Sequence, residues 1–430
     1  MLSVFAQAFR TPDLRTKLLI TIGFLALYRI GSYIPTPGVD YPAVQSCIKS
    51  VQGDSLYALI NLFSGGALLQ LSIFALGIMP YITASIILQL LTVVIPRLEA
   101  LKEEGQAGQA KITQYTRYLT VGLSLLQATG IVALARSGQL IRGCPNDIIP
   151  NESLSVIITM ILVMVAGSSL LMWFGELITD RGIGNGMSLL IFTSIVAGFP
   201  SQMSVIFSSA GPMSFLVVIV VGLAIVAFVV LMEQGQRRIP VQYAKRMVGR
   251  RMYGGSSTYI PIKVNQAGVI PVIFASSLMY LPVLFVTLTG STGTVAQWID
   301  THLVRGQSIF YTMTYFLLVI FFTFFYTAIT FNPDEIADNM KKYGGFIPGI
   351  RAGKPTAHYL EYVLSRLTSV GSVYLAAIAT LPLLAFSSLN QGQNFIFGGT
   401  SILIMVGVGL DTVKQIESQL QQRSYEGFLR

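Results

Sequence analysis

Ten predominantly apolar runs divide the chain: 18–34, 73–95, 115–135, 154–177, 183–203, 215–232, 267–288, 309–331, 368–386 and 395–410. A helix needs roughly 20 such residues to cross a bilayer, so each run predicts a spanning helix. An eleventh stretch, 56–71 (LYALINLFSGGALLQL), is apolar but short, is broken by Ser64-Gly65-Gly66, and is one residue from the next run. It reads as a re-entrant or interfacial helix buried in protein, where irregular backbone is tolerated at membrane depth.

Composition supports the pattern. Of 430 residues, 53% are hydrophobic and 11% charged, and the mean hydropathy is +0.66. One soluble core cannot hide that much apolar surface, so the solvent is lipid. The fold class is therefore an all-α polytopic membrane protein. With ten spans, 23 of the 28 Lys and Arg fall on one side, four on the other, and Arg29 lies inside the first run. Counting 56–71 as a further span makes the split 21 to 6. The positive-inside rule favours ten spans with both termini cytoplasmic. The first run carries Arg29 and is followed by no small-residue cleavage site, so it is expected to stay as a span. Cys47 and Cys144 both fall on the outer side. A disulfide there is topologically allowed, although Cys is also an ordinary small buried residue.

The runs lack the chemistry of other classes. Apart from Arg29 and run-end residues such as Glu176, they hold no Asp, Glu, Lys, Arg or His. Ion-coupled transporters place such groups near the midplane, so the inventory favours a passive conduit over the main alternative, a multi-span small-solute transporter. His302 and His358 have no metal-ligand spacing, and there is no HExxH, intramembrane Asp pair or GxxxxGK[ST] loop. An intramembrane enzyme has nothing to work with, no cofactor is implied, and any nucleotide energy must come from a partner.

The second run contains GIMPYITASI and the seventh GVIPVIFASS, identical at Gly77/Gly268, Pro80/Pro271, Ile82/Ile273, Ala84/Ala275 and Ser85/Ser276. If runs 1–5 and 6–10 are repeats, the odd number inverts the second copy and puts a pathway between the halves. Each Pro is expected to kink its helix at mid-span. Chance among apolar segments would also leave such a match.

LFSGGALLQLSIFALGIMPYITASIILQLL (62–91), ITDRGIGNGMSLLIF (178–192), GQRRIPVQYAKRMVGRR (235–251), KVNQAGVIPVIFASS (263–277) and FIPGIRAGKPT (346–356) together resemble the bacterial SecY family of protein-conducting channels. The resemblance runs nearly end to end. It implies two five-helix halves, 18–203 and 204–410, around an hourglass pore, with cytoplasmic tails 1–17 and 411–430 and cytoplasmic loops 233–266 and 332–367. It places a pore ring at Ile78, Ile82, Met187, Ile191, Ile273 and Ile404, where a narrow aliphatic neck excludes water and ions by dewetting. Ile78/Ile82 and Met187/Ile191 are four residues apart, on one helix face; Met187 departs from the Ile typical of the ring. The stretch 56–71 matches the plug, with Leu62, Phe63, Ser64, Gly65 and Gly66 at its centre. Thr83, Gln127 and Ser277 match polar positions of a lateral gate formed by spans 2 and 3 against 7 and 8. The two basic loops imply docking of the ATPase SecA or the ribosome through Arg237, Arg238, Lys245, Arg246, Arg250, Arg251 and Arg351, a patch whose density also suits ribosomal RNA phosphate or lipid headgroups. SecE and SecG are implied as further subunits, with signal peptides and nascent chains as cargo, in the bacterial plasma membrane.

Overall fold

Inside lipid a backbone N–H or C=O finds no water, so apolar runs can only become helices, and each of the ten falls on one. The computed structural model describes residues 7–50, 65–136, 148–151, 153–243, 246–248, 251–253, 257–289, 294–299, 302, 308–388 and 399–427. Among the described residues, five helical stretches are long and apolar enough to span unaided: Gln106–Arg136, Leu154–Arg181, Phe215–Gln234, Ile309–Lys342 and Lys354–Leu381. Helices α1 (Pro12–Gly31) and α2 (Tyr41–Ser50) precede α3 (Met79–Val94), which bends by 104° into α4 (Pro96–Glu103). After them come α5 (Gln106–Arg136) and α6 (Leu154–Arg181). Arg117 on α5 donates from Nε and Nη2 to the two carboxylate oxygens of Glu176 on α6, each at 2.8 Å. This bidentate pair gives the run-end Glu176 a defined role.

The fifth and sixth runs share one helical assignment, α7 (Gly186–Gln234), with Pro200 and Pro212 inside it. Straight, it would reach about 73 Å at the α-helical rise, more than twice the hydrocarbon thickness. Contacts show that it doubles back. Phe207 and Phe215 meet edge to face with ring centroids 5.4 Å apart, although eight residues of straight helix would separate them by about 12 Å. Both ends of α7 also lie beside one turn of the last helix. There Gly184 N–H donates to Gln415 Oε1 at 2.9 Å, and Lys263, the strand partner of Gln236, reaches Asp411 at 3.7 Å. The two apolar runs therefore form two antiparallel spans.

The prolines of the matched segments do not act as expected. Residues 73–78 are successive turns, and α3 begins only at Met79, with Pro80 in its first turn. Pro271 likewise stands second in α8 (Ile270–Thr289). A first-turn N–H has no intrahelical acceptor, so proline there starts a helix instead of kinking it. Gly77 and Gly268, each three residues earlier, both take positive φ, 57° and 62°, a conformation that glycine adopts without strain. The identity between the segments thus extends to their backbone.

The remaining helices are α9 (Thr294–Ile299), α10 (Ile309–Thr330), α11 (Pro333–Lys342), α12 (Lys354–Ser388) and α13 (Gly399–Gly427). Helix α8 packs against α10 on one flank and against α3 and α5 on another. That seam joins early and late spans.

The basic loops are where an all-helical expectation fails. Strand β1 (Gln236–Tyr243) pairs antiparallel with β4 (Ser257–Lys263), in register from Gln236↔Lys263 to Gln242↔Ser257. On its other edge it pairs with β5 (Gly345–Phe346) through Gln242↔Phe346 and Tyr243↔Gly345. Between β1 and β4, β2 (Arg246–Val248) and β3 (Arg251–Tyr253) form a small hairpin. Alternation drives β1: Ile239 and Val241 are buried while Arg237, Arg238 and Gln242 are exposed. The buried face sits on Phe331, Met340, Leu360 and Val363. Pro240 is tolerated because β5 covers only the end of β1.

Candidate functional site

The six side chains expected to form a ring arrive from four separate places: the turn before α3 and its first coil, the start of α7, the start of α8 and the start of α13. All belong to one apolar cluster. Ile78, Ile82, Ile191 and Ile273 are at most 7% exposed and Ile404 is fully buried. Met187 is half-buried, with its thioether over Gly175 of α6. In this conformation the cluster is shut. A narrow cleft too tight to hold a water molecule borders it, lined by Tyr28, Ile78, Leu171, Leu190 and Ser194.

The start of α7 is held by the chemistry of the ITDRGIGNGMSLLIF motif. Asn185 caps the helix, its Oδ1 accepting from the N–H groups of Met187 and Ser188 at 3.1 and 3.3 Å. Ile183 N–H donates to Thr21 Oγ1 of α1, and Gly186 N–H to Thr179 Oγ1 of α6, at 3.1 and 2.9 Å. A Cβ on Gly186 would lie 2.0 Å from the Gly175 carbonyl oxygen, a backbone atom that cannot step aside. Gly186→Val is therefore expected to force α6 and α7 apart and destabilise the protein by about 1–3 kcal/mol, as overpacking does. Thermal unfolding followed by fluorescence-detected gel filtration would reveal it as a lowered midpoint; an unchanged midpoint would contradict this close approach.

Thr83, Gln127 and Ser277 are all buried, on α3, α5 and α8, the three helices of the seam. The two hydroxyls, of Thr83 and Ser277, do not bridge it. Thr83 Oγ1 donates to Met79 O at 2.9 Å and Ser277 Oγ to Ile273 O at 2.8 Å, each within its own helix. Hydroxyls satisfied this way leave the seam held mainly by packing, which suits contacts that must part.

Of the plug residues, Leu62, Phe63 and Ser64 lie outside the described residues; Gly65 and Gly66 open a turn running to Leu71. Leu68 and Leu71 are buried in a second cluster with Ile131, Val132 and Met164, and Ala67 is fully buried as well. Lys245, Arg250 and Cys144 also lie outside the described residues, as do the side chains of Cys47, Arg246 and Arg251.

Arg237 and Arg238 are exposed on β1, with the Arg238 guanidinium 4.9 Å from the Tyr259 ring centroid. Because β5 pairs with β1, the sheet brings the FIPGIRAGKPT loop to the same platform. Arg351 is exposed at its tip, between Gly349 and Gly353 at φ 83° and 101°, and its carbonyl accepts from Thr356 Oγ1 at 2.8 Å.

Sequence reasoning missed three polar links, two of them buried and one partly buried. Tyr28 and Ser194 hydroxyls meet at 2.5 Å. Asn265 Nδ2 donates to Glu233 Oε1 at 2.5 Å and to the Gly268 carbonyl at 3.0 Å, tying the base of α7 to the start of α8. Arg29 Nη1 donates to Gly65 O at 2.6 Å. Only the last left a signal, a lone charge in an apolar run.

Residues 72–413 match the family model SecY. The chain is 65% identical over 437 residues to the protein translocase subunit SecY of Streptomyces scabiei, covering all of both chains. It is similar in fold to the solved structure of a protein-conducting channel, with TM-score 0.65 and 19% identity over 94% of this chain and 92% of that one. Sec61 in the canine ribosome–channel complex from the endoplasmic reticulum gives TM-score 0.64 and 19% identity over the same shares.

Proposed function

The chain belongs to the SecY family and is a multi-pass protein-conducting channel subunit with no enzymatic role, and from that premise we propose how its parts divide the work. Unfolded secretory proteins pass between the halves 18–203 and 204–410, through the neck formed by Ile78, Ile82, Met187, Ile191, Ile273 and Ile404. Membrane segments leave sideways where α8 meets α3 and α5. The observation that carries this reading is the convergence of those six aliphatic side chains from four helix starts in one buried cluster. An apolar neck of that kind stays dry at rest, yet its flexible side chains can close around a chain of any sequence.

The sheet platform bearing Arg237, Arg238 and Arg351 is the docking face for the ribosome and SecA, and the likeness to Sec61 of a ribosome-bound complex supports the first of these. SecE and SecG complete the complex in the bacterial plasma membrane, with both termini of this chain in the cytoplasm. Purification in mild detergent should bring SecE along, and proteoliposomes of that complex supplied with SecA and ATP should carry a secretory precursor into a protease-protected space. A preparation that retains SecE and binds SecA but protects no precursor would overturn the assignment.

A further inference from the structure

Arg29 is the only charge in the first apolar run, and an arginine at that depth persists only where its donors are satisfied. Its Nη1 donates to the carbonyl of Gly65 at 2.6 Å and its Nη2 to the Tyr33 hydroxyl at 2.7 Å, with the guanidinium carbon 4.7 Å from the Tyr33 ring centroid. Among the described residues no carboxylate pairs with it. The planar fork thus holds a backbone oxygen on one side and a phenol on the other, an arrangement that a lysine cannot reproduce.

The segment that Arg29 holds has two attachments of different kinds. Near its end the backbone is laced to the loop after α1. Pro35 and Ser72 form a β-bridge, Thr36 donates to Leu71 O from both N–H and Oγ1 at 2.9 and 2.7 Å, and Ile73 N–H donates to Ile34 O at 3.0 Å. At its start a side chain takes hold, Arg29 donating to the Gly65 carbonyl. Gly65 is pressed between two spans there: a Cβ on it would lie 3.2 Å from Ser194 Cα on α7 and 3.3 Å from Arg29 Nη1. Ser194 in turn meets Tyr28, the neighbour of Arg29, and both line the cleft beside Ile78. Among the described residues nothing comes within 4 Å of a Cβ placed on Gly66, which stands at φ 93°.

We propose that Arg29 is a positioning residue of the closed channel: its guanidinium ties the Gly65 carbonyl to the first span and so sets how readily residues 65–71 give way when the channel opens. The proposal rests on the channel reading above. A charge-assisted hydrogen bond can be broken and re-formed without disturbing the backbone lacing at 71–73, so the segment pivots from a fixed end.

The test uses the purified complex in planar bilayers, with labelling of Ala67→Cys by a membrane-impermeant maleimide in a chain carrying Cys47→Ser and Cys144→Ser. Arg29→Leu is expected to raise both resting conductance and labelling rate about tenfold, equivalent to about 1.4 kcal/mol. Arg29→Lys should fall between Leu and wild type. Tyr33→Phe, which removes only the phenol oxygen from a half-exposed residue, should give a smaller rise in both and serves where Arg29→Leu does not accumulate. Wild-type conductance and labelling in Arg29→Leu, or in Tyr33→Phe where that is the surviving variant, would overturn the tie. Precursor translocation by the same preparations separates the two claims, because a complex that translocates while Arg29→Leu stays tight refutes only the role of Arg29.

Discussion

Replacing Ile82, Ile191 and Ile273 together with Ser should make the resting channel leak ions. The three come from different helices, are 7%, 2% and 5% exposed, and share one cluster. Each replacement exchanges a buried aliphatic group, worth about 1.5–3 kcal/mol of burial, for a hydroxyl that holds water, and a neck with hydroxyls on three sides no longer expels it. Resting conductance should rise at least about tenfold, and precursors with defective signal sequences should pass more readily, because a weakened closed state costs less to open. Val93, Val196 and Leu317 are exposed and outside the buried cluster, and the same change there should do neither. Planar-bilayer recording decides the matter when residues 56–66 are deleted from both channels. A Ser triple as tight as its parent would mean that these residues do not form the constriction.

Arg351→Glu should abolish SecA-driven export while leaving the complex assembled. The loop around Arg351 is built to present one guanidinium: two left-handed glycines flank it and the Thr356 hydroxyl fixes its carbonyl. If docking buries this guanidinium against one carboxylate, losing the pair costs about 2–5 kcal/mol, so export should fall at least about 30-fold. Arg250→Glu with Arg251→Glu acts on a diffuse patch and should mainly weaken ribosome binding, with a deficit against wild type that is largest at low salt and shrinks as salt rises. Precursor protection with SecA and ribosome co-sedimentation across a salt series measure the two. Wild-type export by Arg351→Glu would remove that role.

The sequence by itself determined what a bilayer reads locally. Ten apolar runs became helices because lipid leaves the backbone no other partner, and the near-absence of charge within them excluded midplane ion chemistry. The ITDRGIGNGMSLLIF and GIMPYITASI motifs were legible as signatures of a family, but not as the helix cap at Asn185 and the helix start at Pro80 that they turn out to build. Tertiary structure decided what depends on residues far apart in the chain. Pro80 and Pro271 look like mid-span kinks until Gly77 and Gly268 turn the backbone and begin the helices after them. Gln242 pairs with Phe346, about a hundred residues away, so the sheet uniting the two basic loops had no local signal beyond the alternation of Ile239 and Val241. Thr83 and Ser277 could have bonded across the seam or along their own helices, and only the packing chose the latter. Lipid is as apolar as the spans themselves, so hydrophobicity specifies that a helix spans the membrane but not which helix it meets. That choice falls to close approaches such as Gly186 on Gly175 and to single polar contacts such as Arg29 on Gly65.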